Sequence, residues 1–440
     1  MRNDTPVDKR IFHPFLREEP ESTVKDYSPG DNVLILAEDC IYDMDCKRTG
    51  LNNNVLVVGA SGTGKSRSVV SPNILQAVGS YIISDPKGVL YKQYAEYLRS
   101  CGYVVKKLNI ADPEDTESGS YNFFDYIYNE QDILTVAHMI INAGDSADKI
   151  HRQDPFWDDA AELLLVSLIA YLQSHTSAYN RTLSSILRLA QACDIEEYDD
   201  NYCSTLDQIF NEIEKVNPED FSLRCYKRFR QAAGRTMKSI LITLYAKLAV
   251  YDTPQLQRML SSDTVDIPAI GMWKTALFVI VSDTDRSMDR IVNLFFSQAM
   301  HELCRTADDL PWQKLPMDVR FILDDFATNV QISEFPRMIS SIRSRGISVM
   351  LMIQDESQLT GAYGEGGRTI ISNCDTYIYL GGNDIDTARN IARRADENLR
   401  RILYMPVGSC WIFRRGQLPV KTNIINLEKW ELDHGIVLYQ

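Results

Sequence analysis

Short apolar runs alternate with segments of helical periodicity in the first and last thirds of the chain. VLVVG (55–59) and YIISD (81–85) are β-branched runs, and the periodic stretch SRSVVSPNILQAV (66–78) lies between them. Similar runs return later as ALFVIVSD (276–283), FILDDF (321–326), ISVMLMIQD (347–355) and TYIYLGG (376–382). Strands that alternate with helices favour a mainly parallel sheet, so we expect an α/β fold.

The strand pattern is lost between Tyr121 and Ser262, where long helical periodicities such as AAELLLVSLIAYLQS take over. We therefore predict an all-α insertion domain at 121–262 within an α/β domain formed by 31–120 and 263–440. Residues 1–30 are polar and irregular, which indicates a flexible tail. Short strands with a turn around Asp43–Asp45 are predicted between Val33 and Arg48.

The segment GASGTGKS (59–66) follows a predicted strand, precedes a predicted helix and matches GxxxxGK[ST]. Its glycines let backbone N–H groups turn around a phosphate, and the helix N-terminus adds partial positive charge. Lys65 is expected to reach the β- and γ-phosphates of ATP, and the Ser66 hydroxyl to ligate Mg²⁺. A glycine-rich turn that includes GKS by chance is the alternative. The predicted nucleotide-binding residues are Gly59, Ala60, Ser61, Gly62, Thr63, Gly64, Lys65 and Ser66.

Two carboxylates follow the apolar run FIL in the segment RFILDDF. A magnesium site beside a phosphate loop needs a carboxylate at the tip of a buried strand, and we assign Asp324 to that position. Asp325 is the candidate for polarising the attacking water. The same pair also fits strand-end carboxylates that cap the next helix.

Further polar residues lie beside other predicted strands. Gln354 ends the run SVMLMI and is predicted to orient water and sense the γ-phosphate. Arg343 and Arg345 precede that run, and an arginine supplied by a neighbouring subunit can neutralise charge on the γ-phosphate. Surface salt bridges are the alternative for both arginines. Asn373 and Asp375 are weaker candidates of the same kind.

The charge balance argues against a general cationic surface for nucleic acid. The chain has 46 basic and 60 acidic residues and a formal net charge of −14. A narrow basic channel remains compatible with that balance. The segment 224–242 fits either phosphate contacts in such a channel or a solvated helix. Its cationic residues are Arg224, Lys227, Arg228, Arg230, Arg235 and Lys238.

Cysteine usage and hydropathy indicate a cytoplasmic protein. The nine cysteines form neither CxxC pairs nor a Cys/His cluster, so neither a zinc site nor a disulfide framework is expected. The longest apolar stretch, Leu163–Leu172, is about half the length of a bilayer span. The first thirty residues contain no apolar core of a signal peptide. We therefore expect no transmembrane segment in this chain.

Taken together, the ordered motifs resemble a known family, the TraG-like type IV coupling proteins of conjugation systems, within the RecA-like, hexameric DNA-pumping ATPases. The resemblance runs from about Gly30 to Leu418. The segments that carry it are GLNNNVLVVGASGTGKS, YIISDPKG, DPFWDDAAELLL, AAGRTMKSIL, FILDDFA, SIRSRGISVMLMIQDESQL and NCDTYIYLGG.

The resemblance implies a RecA-like fold and an ATP-driven motor that needs ATP and Mg²⁺. Such a motor would bring a relaxase-bound single DNA strand, or an effector protein, to a type IV secretion channel and power its transfer. The helical insertion would be the substrate-recognition domain, and six identical subunits would form a ring. In that family, the arginine that acts on the γ-phosphate of the neighbouring subunit precedes the strand-end Gln as Arg343 precedes Gln354 here. The resemblance therefore favours Arg343 over Arg345.

Two departures from the family pattern leave alternatives open. Family members usually begin with membrane-spanning helices, so we expect a separate membrane subunit that holds this chain at the inner face of the membrane, or a soluble variant. The family also usually has Asp-Glu where this chain has Asp324-Asp325, which predicts slow hydrolysis because aspartate is one methylene shorter. The alternatives are a nucleotide-gated adaptor with weak hydrolysis and a double-stranded DNA translocase for packaging or segregation.

Overall fold

A nine-stranded sheet organises the computed structural model, which describes residues 24, 26–142, 156–196, 202–436 and 438. Most of the tail predicted at 1–30 lies outside these residues. The strands of the described chain are β1 (Val33–Ala37), β2 (Cys40–Asp43), β3 (Val55–Val58), β4 (Ser80–Pro86), β5 (Val104–Asn109), β6 (Thr275–Val281), β7 (Val319–Leu323), β8 (Ile347–Ile353), β9 (Thr376–Tyr379), β10 (Ser409–Arg414) and β11 (Val420–Asn423).

Helices cover both faces of this sheet. Those of the described residues are α1 (Cys46–Thr49), α2 (Ser71–Leu75, which continues a π-helical turn at Ser66–Val70), α3 (Val89–Ser100), α4 (Glu130–Asn142), α5 (Phe156–His175), α6 (Leu183–Gln191), α7 (Thr205–Val216), α8 (Phe221–Phe229), α9 (Gly234–Leu248), α10 (Pro254–Met259), α11 (Ile267–Met272), α12 (Asp289–Asp309), α13 (Phe335–Met338), α14 (Ser357–Tyr363), α15 (Gly366–Ser372), α16 (Ile385–Ala395), α17 (Leu399–Leu403) and α18 (Leu427–Asp433).

The strand order in the large sheet is β11-β10-β9-β3-β8-β7-β4-β6-β5, and β1 pairs with β2 in a separate antiparallel hairpin. From β9 to β5 all neighbours are parallel, whereas β10 is antiparallel to β9 and to β11. Strand β3 from the first third of the chain lies between β8 and β9 from the last third. The predicted α/β fold with a mainly parallel sheet is therefore confirmed.

Side chains alternate between two apolar layers along each central strand, as the two-residue period of a strand requires. Val55 and Val57 of β3 pack in one layer, which also holds the β1–β2 hairpin, α2, α3 and α18. Leu56 and Val58 point into the other layer, which holds α12, α14 and α16. Both faces of β3 are fully buried, which explains why its sequence is continuously apolar rather than alternating.

The described part of the segment between β5 and β6 consists of helices and turns, without a strand. Helix α5 has a nearly continuous apolar surface and is packed among α4, α8 and α9. The apolar core of these helices is continuous with one face of the sheet. Within the described residues, the helices are too short or too polar to cross a bilayer. The boundaries at 121 and 262 stay predictions.

Two local expectations differ from the structure. The turn predicted at Asp43–Asp45 is formed instead by Glu38 and Asp39, and Asp45 caps α1 by accepting from the amides of Lys47 and Arg48. The hairpin of β10 and β11 was not predicted. Strand β11 is a partly exposed edge strand with the polar sequence VKTN, so it lacks the apolar run by which the inner strands are recognised.

Candidate nucleotide site at the carboxyl edge of the sheet

Four parallel strands bring their carboxyl ends together at one edge of the sheet. Strand β3 leads into the phosphate loop, β7 ends before Asp324, β8 ends before Gln354, and β4 contains Asp85 near its end. Ligands of open α/β sheets bind at this edge because the loops that follow the strands form a crevice there. The fold thus gathers residues that lie far apart in the sequence.

The phosphate loop is anchored to both neighbouring strands of β3. The Gly59 amide donates to the Ile353 carbonyl (3.1 Å), and the Ala60 amide donates to the Gly381 carbonyl (3.0 Å). Gly62 and Gly64 adopt positive φ angles of 80° and 90°, which are costly for residues with a Cβ. The loop conformation therefore explains the glycine positions of the motif.

Lys65 lies folded into the loop and is only 8% exposed. Its ammonium group donates to the carbonyl oxygens of Gly59 (2.6 Å) and Ala60 (3.3 Å). Burial lowers the pKa of Lys65, while the carboxylates of Asp324 and Asp325 act in the opposite direction. The ammonium group of Lys65 is thus held at the centre of the loop. A bound phosphate would be a stronger acceptor for it than these two backbone carbonyls.

Ser66 and Asp324 form the oxygen pair expected of a magnesium site. The Ser66 hydroxyl donates to Asp324 Oδ2 at 2.6 Å, although the two residues are 258 positions apart. A hydroxyl and a carboxylate are hard oxygen ligands, and Mg²⁺ at a nucleotide site takes its remaining ligands from phosphates and water. Among the described residues there is no group of three His, Cys, Asp or Glu side chains that would form an all-protein metal site.

Asp325 follows Asp324 in a left-handed backbone conformation, with φ of 51°. Its amide donates to Asp324 Oδ1 (3.1 Å), and its carbonyl accepts from the amides of Thr328 (3.2 Å) and Asn329 (2.9 Å). Burial raises the pKa of Asp325 and the neighbouring Asp324 raises it further, while Lys65 opposes the shift. The carboxylate is therefore more basic than an ordinary aspartate.

The Gln354 side chain is close enough to the Asp325 carboxylate to favour its charged form, which lowers the pKa of Asp325 and partly opposes the effect of burial. The Gln354 side chain is otherwise exposed, and its backbone amide donates to Gln358 Oε1 (2.8 Å). The structure thus brings together Lys65, Ser66, Asp324, Asp325 and Gln354. Their chemical roles remain predictions.

Arg343 and Arg345 lie at the opposite edge of the sheet, before the first residue of β8. The seven residues of β8 separate them from Gln354 by about 20 Å. Arg343 is exposed and donates to the Cys46 carbonyl (2.7 Å), whereas Arg345 forms a two-bond ion pair with Asp308 at 2.8 Å. Within one chain neither guanidinium can reach the phosphate loop, so the predicted role of Arg343 requires a second subunit.

Asn373 and Asp375 also lie at that opposite edge, where they brace the segment before β3. The Asn373 carbonyl accepts from the side-chain amides of Asn52 and Asn54, both at 3.0 Å. Asp375 accepts from the Asn52 amide (2.6 Å) and forms an ion pair with Arg415 (2.9 Å). These contacts give both residues a structural role in holding β3 beside β9.

The sequence analysis missed two further carboxylates at the nucleotide edge. Asp85 is fully buried and accepts from the amides of Leu90 (3.0 Å) and Tyr91 (2.7 Å), so it caps α3. Burial raises the pKa of Asp85 to about 6. Asp283 follows β6 and pairs with Lys87 at 2.6 Å. Both aspartates end apolar runs, YIISD and FVIVSD, and that position could have identified them.

The cationic segment 224–242 spans the end of α8 and most of α9. Arg230 is paired with Asp207 (3.0 Å), and Lys227 is paired with Glu214. Arg224 lies over the ring of Phe221, with its guanidinium 5.9 Å from the ring centre. Neutralising partners are therefore already present for two of the cations, which weakens the case for a continuous phosphate-binding stripe.

This combination of site and fold agrees with comparisons to known proteins. The family described as "Type IV secretory system Conjugative DNA transfer" matches residues 18–397, which is most of the 440-residue chain. The chain belongs to this family. The match includes the phosphate loop, the carboxylates after β7, Gln354 and the helical segment between β5 and β6.

Curated relatives and solved structures support the same assignment. The chain is 23% identical over 363 residues to Protein VirD4 of Rhizobium radiobacter, and 23% identical over 349 residues to Protein VirD4 of Agrobacterium fabrum. These matches cover 78% and 77% of this chain and 48% of each relative. The chain thus spans about half the length of the curated relatives it matches.

Among solved structures, the fold is similar to the plasmid coupling protein TrwB in complex with ADP and Mg²⁺, with a TM-score of 0.65 and 17% identity over 89% of each chain. VirB4 of Thermoanaerobacter pseudethanolicus is also similar, with a TM-score of 0.55 and 14% identity over 92% of this chain and 98% of that one. At these identities the likeness shows the fold alone, which is a RecA-like α/β fold.

Proposed function

We propose that this chain is an ATP-driven coupling protein that brings relaxase-bound single-stranded DNA, or an effector protein, to a type IV secretion channel and powers its transfer. The observation that carries the proposal is the hydrogen bond of Ser66 to Asp324 beside the buried ammonium of Lys65. These groups match the parts of a P-loop motor, and the family to which the chain belongs is described by conjugative DNA transfer.

ATP and Mg²⁺ are the cofactors of the proposed reaction. TrwB, which has the same fold, has been solved with ADP and Mg²⁺ and with a non-hydrolysable ATP analogue. Here Lys65 and the loop amides would hold the β- and γ-phosphates, and Ser66 and Asp324 would hold the metal. When bound, Mg²⁺ neutralises charge on the phosphate oxygens.

Asp325 and Gln354 would act on the attacking water. Asp325 would take the proton as general base, and its raised pKa makes it a stronger base than an ordinary aspartate. Gln354 would orient the water, and its side chain favours the charged form of the Asp325 carboxylate. An aspartate here holds its carboxylate about 1.5 Å further from the nucleotide than a glutamate would, so we propose slow hydrolysis.

The remaining parts of the motor come from other subunits and other segments. Arg343 is exposed at the edge of the sheet opposite the nucleotide site, which suits a guanidinium that acts on the γ-phosphate of a neighbouring copy. We accordingly propose a homo-hexameric ring. The helical segment 121–262 would recognise the cargo, and a separate membrane subunit would hold the ring beneath the channel on the cytoplasmic side.

The experiment that tests the proposal is ATP turnover by the assembled protein with and without single-stranded DNA. Lys65→Ala is the inactive control because it removes the ammonium from the loop. We expect turnover that rises when single-stranded DNA is added and falls to background in Lys65→Ala. Absence of stimulation in an assembled ring would contradict a DNA motor.

A nucleotide-gated adaptor is the second candidate, because the short Asp325 side chain favours binding over hydrolysis. An adaptor predicts ATP-dependent capture of the relaxase with turnover near background in the wild-type protein. Robust turnover that Asp325→Glu does not change would exclude it. A packaging or segregation motor would instead be stimulated more strongly by double-stranded than by single-stranded DNA of equal length.

A further inference from the structure

A cavity of about 630 Å³ lies beside the loop that follows Asp325. It is bounded by the segment after β6, the start of α12, the loop after β7, and α14. The residues on which its chemistry depends are Arg286, Arg290, Thr328, Gln331, Gln358 and Gly361. Arg286 and Gly361 are exposed, so the cavity opens to solvent.

One wall of the cavity is connected to Asp325 through Arg286. The Arg286 guanidinium donates to the Thr328 carbonyl and pairs with Asp289 at 2.8 Å. The amide of Thr328 in turn donates to the Asp325 carbonyl at 3.2 Å. A ligand that attracts the Arg286 guanidinium would therefore act on the loop that sets the position of Asp325.

The opposite wall is connected to Asp325 through Gln358. Gln358 Oε1 accepts from the Gln354 amide at 2.8 Å, and Gln354 follows β8, the strand adjacent to the β7 strand that Asp325 follows. Asp325 and Ala327 have φ angles of 51° and 66°, so the loop between the two walls holds a conformation that its own residues disfavour. Contacts with the walls offset that cost, and a change in those contacts can move the carboxylate.

The lining groups match a phosphate backbone. Two guanidinium groups, two primary amides and the Ser287 hydroxyl supply hydrogen-bond donors, against one carboxylate at Asp289. The two guanidinium groups outnumber this carboxylate, which pairs with Arg286, so the lining carries net positive charge. Guanidinium and amide donors are the groups that contact phosphate oxygens in protein–DNA complexes.

We propose that this cavity binds backbone phosphates of single-stranded DNA and that the binding is relayed to Asp325 through Thr328 and Gln354. The inference rests on the proposed function, which supplies both the nucleic acid and the ATP turnover. The phosphate oxygens compete with the Thr328 carbonyl for Arg286, and the loop after Asp325 adjusts. The DNA strand is thereby a direct regulator of the water-activating group.

Gly361 offers a test that disturbs no existing contact. A Cβ added there meets no atom within 4 Å, and the residue lies in α14 with an ordinary helical backbone. Gly361→Asp adds a negative charge to the cavity, whereas Gly361→Asn adds the same shape without the charge. Gln93→Glu, on the exposed surface of α3 and outside the segment 121–262, is the matched control for adding a negative charge elsewhere.

The first measurement is the single-stranded DNA concentration that gives half-maximal stimulation of ATP turnover. We expect Gly361→Asp to raise it roughly tenfold relative to Gly361→Asn, because a like charge near the protein surface repels the phosphate. Gln93→Glu should equal the wild type. Arg286→Ala should reduce by about 1 the slope of log affinity against log salt, measured by fluorescence anisotropy. Inorganic phosphate at constant ionic strength should not replace the DNA as activator.

The second measurement separates binding from relay. Gln358→Leu removes the acceptor of the Gln354 amide, so the stimulation of turnover should fall even at saturating DNA. Gln358→Glu keeps an acceptor oxygen, and at saturating DNA, which compensates for its added negative charge, it should restore much of the stimulation. A purely structural role for Gln358 would instead change DNA-free and DNA-stimulated turnover by the same factor in both variants, and would overturn the relay.

The remaining outcomes decide between this site and its alternatives. If Gly361→Asp and Gly361→Asn need the same DNA concentration for half-maximal stimulation, and the wild type is stimulated normally, the cavity is not a DNA site. The proposed function would then stand unchanged. If Gly361→Asp changes the oligomeric state but not the affinity for DNA, the cavity is a contact surface between copies of the chain. Failure of the wild type to bind single-stranded DNA would overturn both proposals.

Discussion

Replacement of Asp325 by glutamate is the perturbation most closely tied to the geometry of the site. The backbone at this residue is fixed by one hydrogen bond through its amide and two through its carbonyl. The added methylene therefore cannot be absorbed by the backbone and moves the carboxylate outward by about 1.5 Å. Because misplacement of a reacting group by about 1 Å can cost roughly 100-fold in rate, we expect Asp325→Glu to increase turnover by about 10- to 100-fold.

The same substitution has a predictable cost. Glutamate tolerates the left-handed backbone of position 325 less well than aspartate, so we expect a loss of about 1 kcal/mol in the free energy of unfolding. Single-turnover hydrolysis of radiolabelled ATP is the assay, and nucleotide affinity measured separately excludes an effect on binding. Asp325→Asn, which keeps the shape but removes the base, should lower the rate by about 100-fold or more. If Asp325→Glu binds ATP normally and hydrolyses no faster than the wild type, the inference that Asp325 is too short is wrong.

Three further predictions concern the rest of the site. Mixing wild type with Arg343→Ala subunits should reduce turnover more steeply than dilution if the arginine acts in trans. Arg345→Ala loses an ion pair with Asp308 and a hydrogen bond to the Ser341 carbonyl within its own chain, so mixing it with wild type should reduce turnover at most in proportion to its share. Ser66→Ala should raise the Mg²⁺ concentration for half-maximal turnover by roughly tenfold or more, and an unchanged requirement would exclude Ser66 as a ligand. The pKa of Asp85 is about 6 in the folded protein and about 3.8 when unfolded, so its contribution to stability is present below pH 4 and is lost as pH rises through 6. Measured without nucleotide, the wild type should therefore lose up to about 3 kcal/mol of unfolding free energy between pH 4 and 7 relative to Asp85→Asn, and parallel pH profiles would contradict this.

The phosphate loop could be predicted from sequence because its requirements are local. The loop glycines, Lys65 and Ser66 lie within eight consecutive positions, and the strand before them is continuously apolar. To predict the positions of Asp324 and Gln354 requires one further argument, which is that the carboxyl ends of parallel strands meet at one edge of a sheet. In the structure, Ser66 and Asp324 are in contact although they are 258 positions apart.

Features that depend on strand order or on the packing of separate segments could not be predicted. No local sequence pattern indicates that β3 lies between β8 and β9. This strand order anchors Gly59 and Ala60 to two different strands. The position of Arg343 at the far edge likewise follows from the direction of β8. The contact of Arg286 with Thr328 joins loops that are 42 residues apart, and no local pattern marks it.

The most direct test of the account is ATP turnover by the assembled wild-type protein and by Lys65→Ala, each with and without single-stranded DNA. The account predicts measurable turnover that single-stranded DNA increases in the wild type, and background turnover under both conditions in Lys65→Ala. Turnover of the wild type that does not respond to DNA, or that survives the loss of the Lys65 ammonium, would contradict it.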